Sequence, residues 1–218
     1  MGEFFSTLSD NKDIYFSAFK TTLSLFLIGG LGALVFGTLL GAMRVSPVPV
    51  LRAVGTTYVQ LIRNTPLTLV FALLVFAAPK LGLNLDYFPT ACVALITYTS
   101  AFVCEALRSG INTVPTGQGE AARALGMTFN QVLSTIVLPQ AFRAIVPPLM
   151  SIFIALMKNT TIAAGFSVLE AGALQPYLSE RGQNQMYVLI WITIGFLILI
   201  IPLIALQRTL ERRWKVAR

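Results

Sequence analysis

The chain has 218 residues, 56% of them hydrophobic and only 11% charged, with a mean hydropathy of +0.75. Soluble domains carry near a quarter charged residues, so this composition excludes a water-soluble enzyme and describes an integral membrane protein. Histidine is absent, which removes a His-based proton relay, and Cys92 and Cys104 lie twelve residues apart in one apolar run, roughly 18 Å along a helix and too far to bridge.

Residues 1 to about 13 read as a short outer tail or interfacial segment, since no basic n-region precedes the first apolar run. Five spans follow, at approximately 18–43, 51–79, 87–108, 141–169 and 183–207, with no linker or repeat dividing the chain, so residues 1–218 form one domain. Span one holds 23 uncharged residues, Thr21 to Met43, about 34 Å of helix against a hydrocarbon core of roughly 30 Å. Within it Gly29, Ala33, Gly37 and Gly41 recur every four residues and share one face, where another helix can approach closely. The same small residues would also suit the smooth wall of a conduction path.

Spans two to four each carry a charge. Arg63, Glu105 and Lys158 sit inside or at the ends of apolar helices, where an exposed charge costs several kcal/mol, so each must face protein, water or a partner. Arg63-Asn64-Thr65-Pro66 breaks span two and Lys158-Asn159-Thr160-Thr161 breaks span four, with side chains able to satisfy freed backbone groups. Such breaks mark substrate routes, which makes Arg63, Asn64, Thr65, Glu105, Lys158, Asn159 and Thr160 pathway candidates. Two structural readings stand beside this one: Arg63 and Lys158 snorkel or pair with an acid such as Glu105, and Glu105 pairs with Arg108 at a helix end.

The odd number of spans puts the termini on opposite sides. The tail holds Arg208, Arg212, Arg213, Lys215 and Arg218, and alternation groups it with Arg44, Arg52, Arg108, Arg123 and Arg143, against only Lys12, Lys80 and Arg181 on the other side. The basic side is cytoplasmic, so the N-terminus is outside and the C-terminus inside. The net charge of +7 reflects this asymmetry, not nucleic-acid binding.

The loop between spans three and four is cytoplasmic and too polar to span, yet strongly patterned over residues 112–140. Pro115 opens a short helix through Gly119–Leu125, and Gly126 suits its C′ position. Thr128 and Gln131 form a capping box for a second helix, which Pro139 should end. Ala122, Leu125, Phe129, Val132, Leu133 and Ile136 make an apolar edge in need of a cytoplasmic partner.

Glu120-Ala121-Ala122, three residues, Gly126, nine residues and Ile136-x-Leu138-Pro139 resemble the EAA signature of permease subunits of binding-protein-dependent ABC importers. Arg63-Asn64-Thr65-Pro66-Leu67, Tyr98 through Ile111, Gly117-Gln118 and Lys158-Asn159-Thr160-Thr161 are similar to the polar-amino-acid branch, and within it to glutamate-uptake permeases. The resemblance implies that the loop is a coupling helix docking on a separate cytoplasmic ATP-binding subunit through Glu120, Ala121, Ala122, Gly126, Leu138 and Pro139. It further implies a second permease chain, sibling or copy, an extracytoplasmic amino-acid-binding protein, and a place in the cell membrane among its lipids.

The chain has no G-x-x-x-x-G-K-[ST] phosphate loop, so it is expected to bind no cofactor and hydrolyse nothing, ATP and Mg²⁺ being used by the partner ATPase. An ion-gradient-driven secondary transporter or channel subunit is the alternative, although it leaves the inner loop without a purpose.

Overall fold

The computed structural model describes residues 2–213, and the regular structure among them is entirely helical. Lys215 and Arg218 of the basic tail lie outside the described residues. The helices are α1 (Gly2–Ser9), α2 (Lys12–Val45), α3 (Pro49–Arg63), α4 (Leu67–Ala72), α5 (Tyr87–Ile111), α6 (Thr116–Ala124), α7 (Phe129–Val132), α8 (Leu138–Asn159), α9 (Leu174–Ser179) and α10 (Gln185–Arg213). Helices α2, α5, α10 and the continuous stretch Phe129–Phe166 are each long and apolar enough to cross a membrane. Helix α3 and Leu67–Ala77 pass the same test only as a pair and meet at 107°, the geometry of a broken span or of a re-entrant loop.

That bend departs from the single stretch expected over 51–79. Pro66 has no amide hydrogen and pushes the preceding residue out of helical conformation. The freed carbonyls are satisfied locally: Asn64 Nδ2 donates to the Gln60 carbonyl at 2.7 Å and Thr65 Oγ1 to the Leu61 carbonyl at 2.8 Å. Asn64 and Thr65 thereby cap the last turn of α3 at the bend.

Pro139 does not end the second helix of the loop. Instead α7 passes through a π turn at Leu133–Val137 straight into α8, so this helix is the base of the fourth span. In the widened turn the Leu138 amide reaches back to the Leu133 carbonyl. Pro139 then falls in the first turn of α8, where a missing amide hydrogen is tolerated. At its other end α8 tightens into a 3₁₀ stretch, Thr160–Phe166, that closes at Ser167 with φ 63°.

Helix α5 is the axis of the bundle, with Ala94, Leu95, Ala101, Val103 and Cys104 wholly buried. It packs along the glycine face of α2. A Cβ on Gly37 would stand 2.6 Å from Val103 Cβ and 2.9 Å from the Ser100 carbonyl oxygen, and one on Gly29 would touch Leu95 and Leu156 at 3.4 and 3.7 Å. Small residues here let dispersion contacts form between backbones, the main source of helix attraction in lipid. The most apolar helix, α10, buries only Val188 and Ile192 and exposes Leu197, Ile198 and Ile201, as a lipid-facing helix does. Trp191 on α10 donates its indole N–H to the Phe4 carbonyl at 2.9 Å, tying α1 to the bundle end opposite the α6–α7 loop.

Candidate functional site

The first candidate surface is the loop itself, a knob built from α6 and α7. Helix α6 ends in a complete Schellman motif. Gly126 takes φ 85°, its amide donates to the Arg123 carbonyl at 2.9 Å, and the Met127 amide donates to Ala122 at 3.1 Å. The expected capping box is present, with Thr128 Oγ1 accepting from the Gln131 amide and Gln131 Oε1 accepting from the Thr128 amide at 2.8 Å. These two caps fix the angle between the helices. Ala122 is 3% exposed and faces inward with Val132, while Glu120, Ala121 and Gly126 lie on the outer surface.

Beside them Leu125 is 84% and Phe129 63% exposed, and a cleft lined by Gly119, Glu120, Arg123, Phe129 and Val132 opens between α6 and α7. Leu138 and Pro139 are not on this surface. They line a separate apolar groove with Gly41, Ala42, Leu107 and Phe142, at the joint between knob and span. Gln140 Nε2 donates to Gln118 Oε1 at 2.6 Å and to the Ile136 carbonyl at 3.0 Å, locking α6 to the base of α8.

The second candidate is a charge cluster around Glu105 near the knob end of α5. Its carboxylate pairs with Arg44 through Oε1 and, through Oε2, with Arg63 and Arg108, each at 3.3 Å. Arg63 also lies over the Phe102 ring, 5.8 Å from its centroid. Both structural readings of Glu105 and Arg63 are thus realised at one carboxylate. Three guanidiniums share a single negative charge, leaving a surplus of about two positive charges in a partly buried setting. Arg44 is its most enclosed cation, 13% exposed against 45% for Arg63. Sequence reasoning missed Arg44 because it reads as an ordinary charge flanking span one.

Lys158 belongs elsewhere. Leu156, half a turn before it, packs on Gly29 and Gly30 of α2, fourteen or more residues before Arg44, so about 20 Å of helix separates Lys158 from the Glu105 cluster. Lys158 is exposed, and among the described residues no acid lies within ion-pair distance of it. Beside it Thr160 is buried and donates to the Met157 carbonyl at 2.8 Å, while half-buried Thr161 donates to the Lys158 carbonyl at 2.7 Å. These bonds satisfy carbonyls where the α-helix tightens. The structure therefore divides the candidate pathway residues between two depths.

A buried acid missed by sequence reasoning lies just beyond. Glu170 follows the fourth span, is 0% exposed, and accepts hydrogen bonds from the Thr22 hydroxyl at 3.0 Å and the Gly172 amide at 2.7 Å. Burial pushes its carboxyl up to about 7 against the opposing pull of those bonds.

A sequence profile described as "Binding-protein-dependent transport system inner membrane component" matches residues 33–216, which takes in the stripe from Ala33 onward, the charge cluster and the whole knob. The chain belongs to this family. Among its relatives is a glutamate transport system permease protein of Corynebacterium efficiens, 45% identical over 199 residues, covering 85% of this chain and 87% of that one. A probable glutamine ABC transporter permease protein of Bacillus subtilis is 38% identical over 95% of this chain and 96% of its own length. One chain from a crystal structure of an amino acid ABC transporter with histidines superposes with a TM-score of 0.89 at 26% identity, covering 94% of this permease and 96% of that chain. A chain of the MetNI methionine ABC transporter shares the fold at a TM-score of 0.75 and 19% identity, covering 95% and 99%. The protein is a multi-pass membrane permease subunit of an amino acid ABC importer, which decides against a gradient-driven secondary transporter.

Proposed function

We propose that this permease pairs with a second permease chain, a sibling or a copy, to form an alternating-access route for glutamate delivered by an extracytoplasmic binding protein. Residues 1–218 act as one domain, N-terminus outside and C-terminus inside, with the knob in the cytoplasm where the basic segments gather. ATP and Mg²⁺ are used by separate ATPase subunits that dock on Glu120, Ala121, Ala122 and Gly126. Leu138 and Pro139 form the joint that passes their movement to α8.

The observation that carries this reading is the knob: two capped helices hold Leu125 and Phe129 out into solvent beside Glu120, rigidly joined to spans three and four. Exposed apolar side chains on an otherwise well-capped element indicate a docking surface, and Glu120 offers a carboxylate to a basic partner residue. Glutamate as cargo is supported by the corynebacterial relatives and by the unbalanced positive charge near Glu105. Arg63, with Asn64 and Thr65 shaping its bend, and Lys158, with Asn159 and Thr160, then act at two successive depths on the anion's way. Arg63 shares the Glu105 charge with Arg44 and Arg108.

Purification of the tagged permease with its ATPase in mild detergent tests the coupling surface. Wild type retains the ATPase, and Glu120→Arg/Gly126→Trp loses it while remaining in the membrane at normal abundance. Retention by the double variant, or no retention by wild type across several detergents, overturns the assignment.

A further inference from the structure

We propose that Glu170 and Thr22 form a clamp that positions the polar break of the fourth span, Lys158–Thr161, relative to the first span. This deepens the pathway reading of Lys158 and rests on it. Thr22 lies wholly buried in the first third of α2, on its packed face, 148 residues from Glu170 in sequence. Its hydroxyl donates to Glu170 Oε2 at 3.0 Å and accepts from the Ala171 amide at 3.0 Å, while Glu170 Oε1 accepts from the Gly172 amide at 2.7 Å. The result is a closed ring of four residues across two elements.

Contact carries the ring to the break. A Cβ on Gly172 would stand 2.6 Å from Glu170 Oε1 and 3.1 Å from Thr161 Cβ, so the bare Gly172 backbone is wedged between the carboxylate and Thr161. Thr161 in turn donates to the Lys158 carbonyl at 2.7 Å. Moving the carboxylate therefore moves the segment that bears the lysine.

Position, not charge, is what the ring requires. An ionised Glu170 accepts the Thr22 proton. A protonated Glu170 donates to Thr22 Oγ1, whose own proton then turns to the Ala18 carbonyl at 3.2 Å. Both states keep every group satisfied. Among the described residues no cation lies within ion-pair distance of Glu170, so the carboxylate has no ionic partner to lose. A glutamine reproduces the second state, with its carbonyl on the Gly172 amide and its NH₂ on Thr22. An aspartate, one methylene shorter, keeps the charge yet cannot span both partners.

The test uses the complete importer, permease with its ATPase and binding protein, in proteoliposomes, reading amino acid uptake and ATP hydrolysis together. Glu170→Gln is expected within about twofold of wild type. Glu170→Asp and Thr22→Val are expected to lower uptake per ATP hydrolysed by roughly tenfold or more, with Thr22→Ser restoring it. Uptake per ATP is a ratio, so a smaller amount of folded complex does not move it. Should Glu170→Asp fail to assemble, the Val/Ser pair at Thr22 still decides. The clamp is refuted by Glu170→Gln failing as badly as Glu170→Asp, or by Thr22→Val matching wild type. A parallel Lys158→Met variant separates the two ideas: normal uptake there sinks the pathway reading itself, whereas impaired uptake there with a normal Thr22→Val sinks the clamp alone.

Discussion

Two glycines of the same stripe are expected to respond in opposite ways to one added methyl group. In Gly37→Ala the new Cβ would meet Val103 Cβ and Cγ1 at 2.6 Å and the Ser100 carbonyl oxygen at 2.9 Å, whereas ordinary contacts begin near 3.4 Å. The obstacle is partly backbone, so no rotamer change removes it, and α2 must shift from α5 by roughly 0.5–1 Å along their closest approach. Overpacking of this kind costs about 2–3 kcal/mol. For a protein of about 200 residues that lowers the midpoint of thermal unfolding by roughly 4–12 °C. In Gly41→Ala the nearest neighbour is Leu107 Cδ1 at 4.0 Å, an ordinary contact, so the midpoint is expected unchanged or slightly raised by the better helix former. The protein contains its own reporter, since Cys92 and Cys104 are both free and buried and react with a thiol-sensitive dye only on unfolding. Equal midpoints for the two variants in detergent would refute the close-packing argument.

Three further outcomes follow from the charged groups. Glu105→Gln leaves Arg44, Arg63 and Arg108 facing one another without a counter-charge; at their partial exposure this should cost about 1–3 kcal/mol, and adding Arg44→Met should restore part of it in the same dye assay. Replacing both Arg63 and Lys158 by Gln should weaken glutamate uptake and the preference for acidic over neutral amino acids, and unchanged uptake and preference would remove both from the pathway. Glu170 is held near 7 in the folded state against an ordinary value near 4.3 unfolded, so the folded state retains the proton longer. Its contribution to stability falls as pH rises from about 4.5 to 7, by at most on the order of 4 kcal/mol, and levels off above. The stability difference between wild type and Glu170→Gln should therefore change across that range, and a flat difference would contradict the assigned burial.

Much of this was legible in the sequence because lipid imposes length. The runs at 18–43, 87–108 and 183–207 are uncharged over most of their extent and long enough to cross; the first two fall within α2 and α5, and the third begins two residues before α10. The caps of the knob were equally readable, since Gly126 and the Thr128–Gln131 pair act over three or four residues. Pro139 misled for the same local reason: nothing nearby reveals that the helix arriving from Phe129 is widened into a π turn that accommodates it. The break at Arg63–Pro66 was visible but its 107° was not, because the angle depends on how α3 and α4 pack on α5. The remaining misses are long-range contacts. Arg44 and Glu105 are 61 residues apart, and Glu170 looks like a charge at a membrane face until Thr22 is placed against it.

The unbroken run from Phe129 to Asn159 also sets a mechanical ratio. On the knob side of the joint at Leu138–Pro139, four α-helical and five π residues make an arm of about 12 Å; on the other side, the 22 residues of α8 make one of about 33 Å. A straight rod turning about that joint would carry the Lys158 end roughly 8 Å for a push of about 3 Å on Phe129, and because Leu156 packs on Gly29 and Gly30 and the Thr22–Glu170 ring ties the break to α2, α2 has to move with it. The hydrogen bond from Gln140 to Gln118 spans the same joint, so lengthening that side chain contact by redesign would slacken the lever without altering either of its ends.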